Sequence, residues 1–482
     1  MKNNALLRQQ AFINGVWTDA DNRQTFDVTN PATGALVAKV PDMGKAETQA
    51  AIEAAHAALP LWKAKTADER GQILRRWFEL LIENVEDLAL ILTSEQGKPL
   101  AEARGEIRYG ASYMDWFAAE ALRVYGDVIP PDAADKRILV IKQPVGVVGI
   151  ITPWNFPNAM LARKLAAALA AGCTVVVKPA EATPLSALAL AFLAEKAGVP
   201  SGVLNIVTTA NPSVVGAELT ANPLVRKVSF TGSTAVGKLL IKQSAETVKK
   251  VTMELGGNAP FIVFDDADLD EAVRGAMLSK FRNAGQTCVC ANRIYVQSAV
   301  YQSFMEKFTA AVTALRVGNG LENGVEVGPL IDEKAVQKVE NLIADAVQHG
   351  ATITVGGKPH ALGATFFEPT ILSNATAEMR LTHEEIFGPV APVYRFDTEG
   401  EVVALANATD FGLAAYFYGQ NINRIFRVAE ALEYSMVGIN TGLISTAVAP
   451  FGGIKQSGFG REGSKYGLDD YLELKYLCFG GL

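Results

Sequence analysis

Histidine and cysteine are scarce in this chain: four of each stand among 482 residues. The histidines, His56, His349, His360 and His383, are scattered. Of the cysteines, Cys173, Cys288, Cys290 and Cys478, only Cys288 and Cys290 lie close together. No second Cys or His pair sits at metal-ligand spacing, so no metal is expected. Four cysteines in so long a chain make no disulfide framework, and MKNNALLRQQAFING holds no apolar leader core. A reducing, cytoplasmic setting is therefore expected. Long apolar runs are missing too. The most apolar window, LARKLAAALAAGCTVVVKP, is interrupted by Arg163 and Lys164 and is no membrane span. Forty-four basic against 51 acidic residues give a formal charge of −7. Such a chain has no whole-molecule attraction to phosphate backbones, so nucleic acid is not expected as a partner. Repeats, low-complexity tracts and long linkers are likewise absent from the sequence.

What is present is apolar residue, 49% of the chain. At roughly 100–200 residues per domain the length suggests two to four domains. The first 120 or so residues read as mainly helical, with TADERGQILRRWFELLIENVEDLALILTSEQG repeating apolar residues at helical spacing up to Gly97. Then VVGII and TVVVKP appear as short, nearly continuous apolar runs, as strands buried on both faces should. LNIVT, KVSF and KKVTMEL follow, separated by helical stretches. This alternation predicts an α/β fold with a doubly wound parallel sheet over about 145–255. A second alternation runs from PFIVF to about residue 455. The end, LDDYLELKYLCFGGL, has the pattern of an exposed strand able to pair with another subunit.

Five segments have the residue types of a reactive site, and each also has a plainer reading. FRNAGQTCVCANR (281–293) sets Cys288 in a Gly/Gln/Thr context, where a thiol is either a nucleophile or a buried structural residue. VTMELGGNAP (251–260) puts Glu254 at the carboxyl end of a strand, where partial burial raises a carboxyl toward general-base range; a surface carboxylate needs no such account. ITPWNFP (151–157) offers the Asn155 amide to developing negative charge, or merely to its own turn. KVSFTGSTAVG (227–237) leads through Gly232 and Ser233 into a helix whose N-terminus favours an anion. TVVVKPAEATP (174–184) ends a strand with Lys178 and Glu181 where a nucleotide ribose would lie. A sixth match is a decoy. Gly458, Gly460 and Gly463 of SGFGREG fit G-x-G-x-x-G, but no convincing strand precedes them and too few residues follow to complete a βαβ unit.

In this order, and over essentially the whole chain, PWNFP, FTGST, ELGGNAP, GQTC, EEIFGPV and PFGGIKQSGFGREG resemble the aldehyde dehydrogenase superfamily. The resemblance implies a Rossmann-like cofactor domain (1–122 and 145–255), a catalytic domain (256–455) and a small β oligomerisation extension with a C-terminal tail (123–144 and 456–482), assembled as a homodimer or homotetramer. It implies Cys288 as nucleophile, Asn155 with the Cys288 backbone N–H as oxyanion hole, and Glu254 as the base that activates water. Trp154, Lys178, Glu181, Gly232, Ser233, Leu255, Glu385 and Phe387 occupy cofactor positions, with Glu385 on the nicotinamide ribose. The Glu181 carboxylate suits the ribose hydroxyls of NAD and repels the 2′-phosphate of NADP, with Lys178 offsetting part of that. NAD is therefore expected to be preferred over NADP.

Within the superfamily, FRNAGQTCVCANR and NTGLISTAVAPFGGIKQSG resemble the succinate-semialdehyde dehydrogenases. Their substrate carries an aldehyde at one end and a carboxylate at the other, and Arg163, Arg282 and Ser445 match the positions that hold the carboxylate. Taken singly, each Arg also reads as a solvated or ion-paired residue. Cys290, two residues from the nucleophile, reads either as a passive neighbour or as a redox partner for a reversible disulfide. Four alternatives stand beside this one: glutarate semialdehyde as substrate, a broader range of aldehydes, acyl transfer to CoA rather than water, and a non-catalytic binding protein on the same fold. The presence of Glu254 argues against CoA, and the presence of Cys288, Glu254 and Asn155 together argues against the last.

Overall fold

A computed structural model describes residues 3–482. The first sheet has eight strands: β1 (Ala11–Ile13), β2 (Val16–Thr18), β3 (Val147–Ile151), β4 (Thr174–Lys178), β5 (Leu204–Ile206), β6 (Val225–Thr231), β7 (Lys250–Glu254) and β8 (Gly458–Phe459). Their spatial order is β2-β1-β5-β4-β3-β6-β7-β8. The five strands from β5 to β7 run parallel. Every residue of β3 and β4 is buried, which is why they read as unbroken apolar runs. Between them the Ala-rich helix Ala159–Ala171 is buried along its whole length. Gly172, at φ 94°, ends it in a left-handed turn.

Two stretches differ from the sequence reading. The first 120 residues are not mainly helical before residue 45: β1, β2, Thr25–Thr29 and Leu36–Pro41 are strands. These are short and mixed in composition. They pair mainly as two local hairpins, β1 with β2 and Thr25–Thr29 with Leu36–Pro41, with Phe12 also reaching Ile206; runs this short carry too few residues for periodicity to register. The tail from 456 onward does not all lie beside the extension. Gly458 and Phe459 form β8, antiparallel to Glu254 and Met253. Gly458 has φ 114°, and a Cβ there would fall 1.9 Å from the Met253 carbonyl oxygen. The glycines of SGFG therefore let the chain close on the end of β7.

A second sheet of seven strands runs Thr352–Val355, Thr370–Ser373, Val390–Phe396, Ala291–Gln297, Ala259–Val263, Ala414–Tyr418, Met436–Ile439 in spatial order. The third has three strands, with Leu472–Phe479 paired along its full length to Arg137–Pro144. Leu474 and Tyr476 on that outer strand are exposed. Among the described residues no helix is long and apolar enough to cross a membrane.

Candidate active site

β3, β6 and β7 lie side by side in register, Ile151 beside Phe230 and Thr231 beside Glu254, so the loops that leave them open on one edge of the sheet. Ligands of open α/β sheets bind at such carboxyl-end crevices. A cavity of about 360 Å³ lies here, bordered by Trp154, Asn155, Gly232, Ser233, Leu255, Glu385, Phe387 and Cys288. Its volume falls inside the usual range for small-molecule pockets, roughly 300–1,000 Å³. The helix Thr234–Ala245 begins at its wall, with Ser233 as N-cap. Trp154 and Phe387 meet edge-to-face at 5.5 Å. The Glu385 carboxylate accepts the Gly257 N–H at 3.0 Å, and burial pushes its pKa up to about 7. Lys178 and Glu181 stand at the end of β4 as an ion pair of 3.0 Å and are not among the residues bordering the cavity.

A second cavity, about 260 Å³, is bordered by Glu102, Phe156, Met160, Arg163, Arg282, Ser445, Phe451 and Cys288. All three residues expected to meet a substrate carboxylate are thus brought to one chamber. Arg163 is wholly buried, ion-paired with Glu462, and 4.3 Å from the centre of the Phe451 ring. Neither of its Nη atoms has a hydrogen-bond partner among the described residues. Arg282 lies 5.3 Å from the Phe156 ring centre.

Cys288 and Met160 border both cavities. Three successive left-handed residues, Asn283 (φ 52°), Ala284 (φ 54°) and Gly285 (φ 75°), turn the chain just before the cysteine. At Gly285 a Cβ would fall 2.1 Å from the Gly388 carbonyl oxygen, so that turn admits no side chain. The Asn155 amide donates to the Gln286 carbonyl at 3.1 Å, which sets it against the loop carrying Cys288. Burial pushes the Cys288 thiol up to about 12, with Arg163 offsetting part of the shift. Glu254 is buried with neither carboxyl oxygen hydrogen-bonded among the described residues. Burial, then the neighbouring Glu462, raise its pKa well above the carboxylate range. Cys290 borders neither cavity; its thiol donates to the Lys280 carbonyl oxygen at 3.4 Å.

Four further residues belong to this region and were passed over in the sequence: Lys98, Glu106, Lys164 and Glu462. All are buried, and Lys164 is ion-paired with Glu462. Arg163 and Lys164 gave a hint, as adjacent charges in an otherwise apolar helix.

The model of the "Aldehyde dehydrogenase family" matches residues 17–477. A glutarate-semialdehyde dehydrogenase of Pseudomonas aeruginosa is 64% identical over 482 residues, covering 100% of both chains. A 3-sulfolactaldehyde dehydrogenase of Pseudomonas putida is 63% identical over 100% of this chain and 99% of its own. A succinate-semialdehyde dehydrogenase [NADP(+)] of Escherichia coli is 63% identical over 98% of each.

Proposed function

The chain belongs to the aldehyde dehydrogenase family, and on that premise we propose that it oxidises succinate semialdehyde to succinate. The observation that carries the substrate is the chamber beyond Cys288. Arg163, with both Nη atoms unpartnered among the described residues, and Arg282 line that chamber and supply cationic donors for a carboxylate. Glutarate semialdehyde, one methylene longer, is the second reading. A methylene is worth only about 1–3 kcal/mol in a pocket, so overlap is expected. The relatives' names favour the same class, since all three substrates join an aldehyde to a distant anionic group.

The residues around the first cavity fit NAD(P). Thr231 Oγ1 is buried there without a partner among the described residues, Gly232 and Ser233 open a helix N-terminus, and Glu385 borders the cavity with one carboxyl oxygen accepting the Gly257 N–H. When bound, the nicotinamide supplies the acceptor for the aldehyde hydrogen. The rest is done by this chain. The Cys288 thiolate adds to the aldehyde carbon, and the Asn155 amide and the Cys288 backbone N–H take the charge that forms on oxygen. Loss of hydride leaves a thioester on Cys288. Glu254 removes a proton from water as that water attacks the thioester, and the acid leaves with the thiolate restored. For the cofactor, Glu181 supports NAD over NADP, moderated by Lys178 at 3.0 Å.

The test is a panel of three- to five-carbon semialdehydes and neutral aldehydes of equal length, each with NAD and NADP, followed by absorbance of the reduced cofactor. The four-carbon semialdehyde should give the highest kcat/KM. Equal values for charged and neutral aldehydes would overturn the substrate reading.

A further inference from the structure

We propose that the buried pair Lys98–Glu106 is a positioning device for the Asn155 amide, acting on the reaction through Asn155 alone. The inference rests on the reading of Asn155 as the oxyanion group.

The pair lies behind the 152–158 loop; Lys98 borders neither cavity, and Glu106 stands at the border of the second. Lys98 precedes the helix Leu100–Glu120, and Glu106 stands on it. Lys98 Nζ is 2.6 Å from Glu106 Oε2 and donates to the Asn155 carbonyl oxygen at 2.7 Å. It also faces the Phe156 ring at 3.7 Å from the centre. Glu106 Oε1 accepts the backbone N–H groups of Asn158 (3.0 Å) and Ala159 (3.2 Å), where the helix Ala159–Ala171 starts. One ion pair therefore grips the loop at both ends, at the peptide of Asn155 and at the helix it runs into. The other donor to the Asn155 carbonyl is Asn283 Nδ2 at 3.0 Å, which also donates to the Gln286 carbonyl oxygen. That oxygen receives the Asn155 side-chain amide. The amide is thus fixed from its backbone and from its tip, with the Cys288 loop in the same network.

The side chains of Lys98 and Glu106 are 0% and 1% exposed. Taking two charges out of water is costly, and an apolar pair of the same volume often leaves a protein as stable or more so. The geometry gives the ions something an apolar pair lacks: directed bonds to the one peptide whose placement decides where the amide points. A displacement near 1 Å at a reacting group costs about 100-fold in rate.

The experiment compares the parent, Lys98→Met, Glu106→Gln, Asn155→Ala and each double variant with Asn155→Ala, at saturating cofactor and aldehyde. Asn155→Ala should lose at least about 100-fold in kcat; a parental rate would overturn the reading of Asn155 itself. Lys98→Met should lose about 10- to 100-fold in kcat, with KM for cofactor within about threefold of the parent. The double variant Lys98→Met/Asn155→Ala should be no slower than Asn155→Ala, because effects that share one route do not multiply. If the two losses multiply, with Asn155→Ala itself impaired, the pair acts by another path and the proposal falls. Glu106→Gln, nearly isosteric, runs the same cycle should Lys98→Met not fold, with the same two outcomes deciding.

Discussion

Glu462 takes both buried cations of the helix that follows the Asn155 loop, Arg163 and Lys164, and among the described residues leaves Glu254 with no hydrogen bond. Two carboxyl groups thus share one buried region with opposite fates. The one without partners is the one proposed to handle water.

The pH behaviour of Glu254 follows with a definite sign. Its folded pKa lies above the unfolded value, so the folded state keeps a proton that the unfolded chain releases. The stability this contributes is complete below the unfolded pKa, about 4.3, and is lost as pH rises through the folded one. The melting temperature of the parent should fall more steeply from about pH 5 to about pH 8 than that of Glu254→Gln. The same substitution should lower kcat by about 10²–10⁴-fold. Parallel melting curves across that range would show that Glu254 titrates elsewhere.

The cofactor-free Cys288 thiol, pushed up to about 12, is a poor nucleophile at neutral pH. Alkylation by iodoacetamide should accelerate about tenfold per pH unit between about pH 6 and pH 9, with no plateau. A plateau below pH 8 would mean that the resting thiol is already ionised there.

Arg163 and Arg282 share a chamber but should fail differently. Arg282→Ala should raise KM for the semialdehyde far more than for a neutral aldehyde of equal length, with little change in melting temperature. Arg163→Ala strips a buried carboxylate of a partner. It should show the same substrate effect together with a loss of about 3–5 kcal/mol of stability, read from urea unfolding. Equal KM effects of Arg282→Ala on both aldehydes would remove that residue from substrate binding.

Glu181→Gln should move the ratio of kcat/KM for NAD over NADP toward NADP by removing a charge beside the 2′ position. A parent enzyme that already prefers NADP tenfold would contradict the role given to Glu181.

The parts of the site that were legible in the sequence are those close to a buried strand: the loops after three strand ends, and the loop that leads into Ala291–Gln297. PWNFP, FTGST, ELGGN and GQTC each set a reactive or backbone-exposing residue within a few positions of a buried strand, so local pattern and placement coincide. What was hidden depends on distance along the chain. Glu462 meets a helix almost three hundred residues before it, and Lys98 reaches Asn155 across 57 positions. In sequence, both look like ordinary surface charges. The strands at 11–41 escaped for a different reason: they are short, mixed runs paired chiefly in local hairpins, too brief for periodicity to register.

The common border of the two cavities at Cys288 and Met160 has a consequence for traffic. On the proposed function the nucleotide takes one of them and the aldehyde the other, and the two meet at one sulfur. Extra bulk at position 160 would be felt in both rooms at once.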